Sequence, residues 1–136
     1  MPKSKDIVNT MMAKDYFSQW LGIEILDVTE GGSKLQMTIR EEMLNGFGIA
    51  HGGITYSFAD SALAFASNSH GQKAVSVETS ISHTISLKAG DVIIAEAKEE
   101  HCSNKIGIYG IKIYKTSDDS VVALFKGTVY RTSKVW

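Results

Sequence analysis

The apolar positions of the chain follow a helical spacing near its start and alternate in its later half, so helices and strands are predicted in separate runs. Between residues 4 and 21 apolar side chains recur at roughly helical intervals, and Gly22 ends the run. Two strand-like segments follow, IEILDVT and KLQMTIR, with the turn sequence EGGS between them. We therefore expect an N-terminal helix over about 4–21 and then a β-hairpin.

The second predicted helix, over about 52–69, lacks the charged face of an ordinary surface helix. One arc is apolar at the i, i+4, i+8 spacing and carries Ile54, Phe58, Ala62, Phe65 and Ala66. The opposite arc has no Lys, Arg or Glu and carries Ser57, Asp60, Ser61, Ala64, Ser67 and Asn68. Because small residues let another backbone come close, we expect a sheet over the apolar arc and a second protein surface against the other.

Strand patterns fill the rest of the chain. Residues 75 to 87 alternate between larger side chains and small polar ones, which is a long period-2 pattern. Three further strands are predicted within DVIIAEAKEEHC, KIGIYGIKIYKTS and VVALFKGTVYRTS. Since consecutive strands with short turns usually pair antiparallel, we expect a meander. The predicted fold class is α+β: one domain over residues 1–136 with a helix, two strands, a long central helix and four strands.

Composition and charge exclude several classes of function. A chain of 136 residues with 43% hydrophobic and 21% charged residues fits one soluble domain with a core. Its net charge of −1 gives no electrostatic basis for binding nucleic acid or an anionic membrane. The single cysteine, Cys102, has no internal disulfide partner, and no Cys/His spacing matches a zinc site. Without a signal peptide or a membrane span in the sequence, we expect a cytoplasmic protein that holds no metal.

The candidate chemistry lies in NGFGIAHGGITYSFAD, residues 45–60, where a glycine-containing loop leads into the central helix. Glycines at a helix start leave backbone N–H groups open to an anion, or to an oxyanion that forms in a transition state. The stretch matches no phosphate-binding motif, and Asp60, the only acid of the helix, can act as a base or a nucleophile. Structural roles fit the same residues: Asn-Gly is a turn dipeptide, His51 could cap the helix, and His83 and His101 fit strand packing.

This stretch, extended to NGFGIAHGGITYSFADSALAFASNSHG and continuing into AVSVETSIS, resembles the hotdog-fold acyl-CoA thioesterases, and within them the phenylacetate-degradation (PaaI-type) group. The shared motif is Asn, then His-Gly-Gly, then Asp eight residues after the first Gly. The resemblance implies a long central helix wrapped by a six-stranded antiparallel sheet, with an extra N-terminal helix in this chain. It also implies homodimers joined edge to edge, often paired into tetramers, that hydrolyse an acyl-CoA to a free acid and coenzyme A with no further cofactor.

Residue roles follow from the same resemblance. Asp60 is expected to be the nucleophile or the base that activates water, and the backbone N–H of Gly52 the donor to the thioester carbonyl. Asn45 would help to hold the carbonyl or the water, and His51 would orient the loop. Ser76 would lie near the attacking water. The coenzyme A phosphates are expected at Ser103, Asn104 and Lys105, and the acyl pocket at Phe47, Gly53, Tyr56 and Phe58.

The spacing of Gly52 and Asp60 predicts a site shared between two subunits. Eight helical residues span about 12 Å, whereas reacting atoms must approach to about 3.5 Å. The two residues of one helix therefore cannot serve the same carbonyl. Two such helices, antiparallel across a two-fold axis, place the start of one beside the middle of the other.

Two alternatives stay open. A hotdog dehydratase typically uses a His with an acid in a different motif, and that motif is not visible in this sequence. A non-catalytic acyl-CoA-binding hotdog module is the second alternative, and the presence of Asp60 argues against it. The sequence does not fix the acyl group, for which an aryl-acetyl or another medium-size acyl chain is the expectation.

Overall fold

The computed structural model describes residues 3–136 and begins with two short helices, α1 (Ser4–Lys14) and α2 (Tyr16–Leu21). The predicted N-terminal helix is present, but Asp15 divides it. The backbone of Asp15 has φ −89° and ψ 78°, outside the helical region, and its carboxylate accepts a hydrogen bond from the Ser18 N–H. Aspartate competes with a helix interior but favours the N-cap position, which explains the break. Gly22 ends α2 with φ 77°, as the sequence indicated.

Six strands and one long helix make up the rest of the chain. The strands are β1 (Glu24–Thr29), β2 (Gly32–Thr38), β3 (Gln72–His83), β4 (Val92–Cys102), β5 (Ile106–Lys115) and β6 (Val121–Val135). The helix α3 (Gly52–Asn68) lies between β2 and β3 in the chain, after a short 3-10 turn at Glu41–Met43. No helix among residues 3–136 is long and apolar enough to span a membrane.

The six strands form one antiparallel sheet in the order β1-β2-β4-β5-β6-β3. The expected meander holds for β1–β2 and for β4–β5–β6, but it is wrong for β3, which pairs with β6 at the far edge. The reason is the segment 84–91, which leaves the strand pattern after His83 and passes the start of α3. Along the way the Ala50 N–H donates to the Leu87 carbonyl and the Gly90 N–H to the Ile39 carbonyl. Because of this crossing, β4 lies beside β2.

The core lies between α3 and the sheet. The helix contacts all six strands, and its apolar arc is buried, with Phe58, Phe65 and Ala66 fully covered. On the opposite arc, Ser61, Ser67 and Asn68 are also buried. Part of that cover comes from the same chain, because α1 and α2 pack on α3, rather than only from a second protein surface as expected. The result is a long central helix wrapped by an antiparallel sheet, the hotdog arrangement.

A polar cluster around His70 ties the end of α3 to the sheet. Its Nε2 lies 2.6 Å from Oε1 of Glu99, and its Nδ1 lies 3.5 Å from Oε1 of Glu30. The Tyr109 hydroxyl donates to the same Glu99 oxygen at 2.7 Å. Burial raises the pKa of Glu99, but the hydrogen bonds from Tyr109 and His70 outweigh it and hold that pKa below its usual value.

Candidate active site

At the start of α3 the backbone N–H of Gly52 is open, whereas the N–H of Gly53 is already hydrogen-bonded. His51 is the N-cap residue, with φ −60° and ψ 137°, and its Nδ1 accepts a hydrogen bond from the Gly53 N–H at 2.9 Å. The Gly52 N–H takes part in none of the hydrogen bonds found within residues 3–136, and Gly52 is exposed. His51 thus fixes the loop, while the Gly52 N–H stays open at the positive end of the helix dipole.

A groove of about 320 Å³ opens beside this donor. Asn45, Ile49, Ala50, Gly52 and Thr55 line one side of it. His83 at the end of β3 and residues 84–87 of the crossing segment line the other. The structure thus brings Asn45 and Gly52, two of the predicted site residues, to one groove. Asn45 shapes the loop as well, because its Oδ1 accepts a hydrogen bond from the Phe47 N–H at 2.9 Å.

His83 is a residue of this groove to which the sequence assigned no role in the site. Its Nε2 lies 2.6 Å from the Thr55 hydroxyl, and that hydroxyl donates to the Gly52 carbonyl at 3.1 Å. The ring also lies against Gly52, where an added Cβ would be 3.3 Å from Cε1 of His83. The only sequence signal is a histidine late in the alternating run, and it fits strand packing equally well. The contact comes from the crossing of the chain, which the meander expectation did not contain.

Asp60 lies in the middle of α3, apart from the groove. Its side chain is half-buried, and burial raises the pKa of its carboxyl, which the nearby negative charge of Asp15 raises further. Neither a cation nor a hydrogen bond offsets this within residues 3–136. From the helical rise, its Cα is about 12 Å along the axis from that of Gly52. One chain therefore holds the two groups apart, as the spacing predicted.

The remaining predicted site residues are not gathered in one place. Ser76 is exposed on β3, the edge strand, opposite Val129 of β6. Ser103, Asn104 and Lys105 form the exposed β4–β5 turn, where the Ser103 hydroxyl is already hydrogen-bonded to the Ile106 carbonyl at 3.2 Å.

The predicted acyl-pocket residues are equally dispersed. Phe47 is 90% exposed at the loop tip, whereas Phe58 is fully buried in the core. Tyr56 packs its ring edge against Phe125 at 5.4 Å, and its hydroxyl contacts that of Thr79. The N–H of Gly53 is taken by His51. None of these four residues lines either of the two cavities found among residues 3–136.

A larger concavity of about 890 Å³ lies along the sheet, away from α3. Charged side chains of both signs line it, among them Lys34 and Glu96, which form an ion pair at 3.5 Å. Its lining among the described residues comes from the sheet and the β1–β2 turn and includes no helix start whose backbone N–H could serve an oxyanion. The groove at the start of α3 is therefore the better candidate for chemistry.

Comparison with known proteins identifies the family of this chain. Residues 47–122 match the family model of the thioesterase superfamily. The chain belongs to this superfamily. It is also 37% identical to the acyl-coenzyme A thioesterase PaaI of Escherichia coli over 123 residues, which cover 90% of this chain and 87% of that protein.

Solved structures agree with the sequence match. The E. coli PaaI protein from the phenylacetic acid degradation operon superimposes with a TM-score of 0.94 at 34% identity, covering 97% of this chain and 95% of that one. A Streptococcus mutans protein solved with acetyl-CoA bound has a TM-score of 0.80 at 23% identity, over 84% of this chain and 91% of that one, and shows the fold alone. The fold expected from the sequence is confirmed: this is a PaaI-type hotdog thioesterase, an enzyme that hydrolyses thioesters.

Proposed function

We propose that this chain hydrolyses an acyl-CoA thioester at a site shared by two copies, with Gly52 from one copy and Asp60 from the other. The observation that carries the proposal is a pair of groups on α3 without a partner among residues 3–136: an open N–H at its start and a half-buried carboxylate at its middle. Each needs a counterpart that the described part of its own chain does not bring near. The match to the PaaI acyl-CoA thioesterase supports the choice of substrate.

The chemistry begins with the thioester carbonyl in the groove, its oxygen accepting a hydrogen bond from the Gly52 N–H. That donor stabilises the negative charge that develops on the oxygen as the carbonyl carbon is attacked. Asp60 of the second copy takes a proton from the attacking water, or attacks the carbon itself. The raised pKa fits either route, because a more basic carboxylate is both the better proton acceptor and the better nucleophile. Asn45 helps to hold the carbonyl or the water, and Ser76 lies near the water.

The edge strand β3 offers the surface on which two copies would meet. Its outer edge has no strand partner among the described residues, because β3 ends the sheet order. Val75 and Val77 on this strand are exposed by 56% and 60%. Unpaired edges with apolar side chains readily pair with another strand. Antiparallel pairing of two β3 strands across a two-fold axis joins the sheets and lays the α3 helices side by side, and two such dimers would form a tetramer.

The substrate-binding assignments are part of the same proposal. The exposed turn of Ser103, Asn104 and Lys105 supplies polar and cationic groups for the coenzyme A phosphates. An aryl-acetyl or another medium-size acyl group occupies the space near Tyr56 and Gly53 once the second copy closes it. Coenzyme A enters as part of the substrate, no metal takes part in any step, and a cytoplasmic location fits such a substrate.

A panel of acyl-CoAs tests the function. Free coenzyme A should be released from at least one of phenylacetyl-, benzoyl- and medium-chain fatty acyl-CoA, and Asp60→Asn should lower kcat by orders of magnitude with the fold unchanged. Asp6→Asn is the matched control, because Asp6 is an exposed acid in the first turn of α1, outside the groove and α3. Tight binding of the acyl-CoAs without cleavage would instead identify a binding module.

A further inference from the structure

The break between α1 and α2 brings a second carboxylate toward the catalytic helix. Asp15 caps α2: its Oδ1 accepts a hydrogen bond from the Ser18 N–H at 3.0 Å, and its Oδ2 accepts one from the Ser18 hydroxyl at 2.6 Å. Ser18 is only 1% exposed, so its end of this contact is buried, whereas Asp15 is partly exposed. The capping carboxylate is therefore held in one orientation.

Ser18 passes the contact on to α3. Its Oγ lies 2.8 Å from Oγ of Ser61, the residue next to Asp60. An ionised carboxylate only accepts hydrogen bonds, so the single hydroxyl hydrogen of Ser18 points to Asp15. Ser61 must then donate to Ser18. The hydrogen bonds therefore run, donor to acceptor, from Ser61 to Ser18 to Asp15. They anchor α2 beside the middle of α3.

Capping of α2 does not require the negative charge of Asp15. A neutral Ser, Thr or Asn caps a helix about as well as Asp does. A second acid near the half-buried Asp60 carboxylate instead adds repulsion between like charges. Of the titratable groups on α1, α2 and the six strands that pack against α3, Asp15 is the one close enough to perturb Asp60 within residues 3–136. The repulsion is useful where Asp60 must accept a proton.

We propose that Asp15 is a positioning residue for Asp60: through Ser18 and Ser61 it fixes the middle of α3, and it holds a second negative charge near the Asp60 carboxylate. The inference rests on the proposed role of Asp60. In that step Asp60 takes one proton of the attacking water while the new C–O bond forms. The C–S bond then breaks, the carboxylic acid leaves, and the coenzyme A thiolate receives the proton from Asp60.

The decisive variant is Asp15→Asn, which keeps a capping oxygen and removes the charge. We expect the acid limb of its kcat/KM against pH profile to move to lower pH, with a fall in kcat on the plateau and little change in KM. The same downward shift should appear in the midpoint of the Asp60 carboxyl carbon in an NMR titration of the whole protein. Asp6→Asn is the matched control, because Asp6 is an exposed acid in the first turn of α1, and it should move neither quantity.

These measurements distinguish a positioning role of Asp15 from a role as a helix cap alone. If Asp15→Asn leaves both the acid limb and the Asp60 midpoint unchanged, Asp15 is only a helix cap and the inference is overturned. Should Asp15→Asn unfold, Asp15→Ser supplies a second neutral cap for the same measurements. A fully active Asp60→Ala would refute the proposed function instead. The NMR midpoint still reports whether Asp15 acts on Asp60, so the two failures are distinguishable.

Discussion

The Nε2 atom of His83 lies 2.6 Å from the hydroxyl oxygen of Thr55, so the end of β3 is hydrogen-bonded to the first turn of α3. The same imidazole covers Gly52, where a side chain has little room. At Gly52 an open backbone N–H therefore lies beside the closely packed ring of His83. A glycine there lets a substrate carbonyl reach the donor without displacing His83.

Gly52→Ala tests this arrangement. Its Cβ would lie 3.3 Å from Cε1 of His83, so the ring or the helix start must shift by a few tenths of an ångström. We expect kcat/KM to fall about tenfold, because small misplacements of a catalytic donor are costly. Gly46→Ala is the control, since nothing lies within 4 Å of its Cβ, and its kinetics should match the wild type. Equal kinetics for both variants would contradict a tight donor position.

Asp60 should reduce the stability of the folded chain at neutral pH. Burial and the charge of Asp15 raise its pKa in the folded state. A raised pKa means that the folded state binds the proton more tightly. The stabilisation that comes from protonating Asp60 is therefore fully present below the unfolded pKa and is lost as pH rises through the folded pKa. Asp60→Asn should therefore unfold at a higher Tm than the wild type at pH 7, and the difference should shrink as pH falls through the folded pKa and be gone below the unfolded pKa of aspartate. A lower Tm at pH 7 would show that Asp60 has a favourable partner.

The shared site predicts complementation between two inactive variants. Gly52→Pro removes the donor N–H and Asp60→Ala removes the acid, so each homodimer should be inactive. In a mixed dimer one site carries both defects and the other carries neither. Random pairing of equal amounts makes about half of the dimers mixed, so roughly a quarter of the wild-type activity should return. Size-exclusion chromatography must show that both variants dimerise, and inactive mixed dimers would place all the chemistry within one subunit.

The polar cluster around His70, at the C-terminal end of α3, should stabilise the fold, and part of this stabilisation should come from the Tyr109 hydroxyl. Hydrogen bonds from Tyr109 and His70 outweigh burial and lower the pKa of Glu99. Their stabilisation is therefore present above the unfolded pKa of the glutamate and is lost as pH falls through the folded pKa. Tyr109→Phe should lower the free energy of unfolding by about 1 kcal/mol at neutral pH, and by less in acid. Tyr130→Phe, on an exposed ring, is the control for urea denaturation.

The sequence predicted most elements because their signals are local. The small and apolar composition of α3 and the motif around His51 and Asp60 indicate the fold within a few dozen residues. The break at Asp15 could not be separated from a continuous helix, since apolar spacing continues across it. The place of β3 beside β6 and the contact of His83 with Gly52 depend on how the segment 84–91 crosses the molecule, and no local pattern encodes that path.

The pairing of β3 with β6 also sets an order of events during synthesis. Residue pairs such as Ser76 with Val129 join positions some fifty residues apart in the chain, so β3 must wait for β6 to leave the ribosome. Until then α3 lacks part of its cover, and both edges of β3 are without a strand partner. An unfinished chain therefore exposes more unpaired apolar strand than the finished one, and its risk of aggregation falls only when β6 closes the sheet.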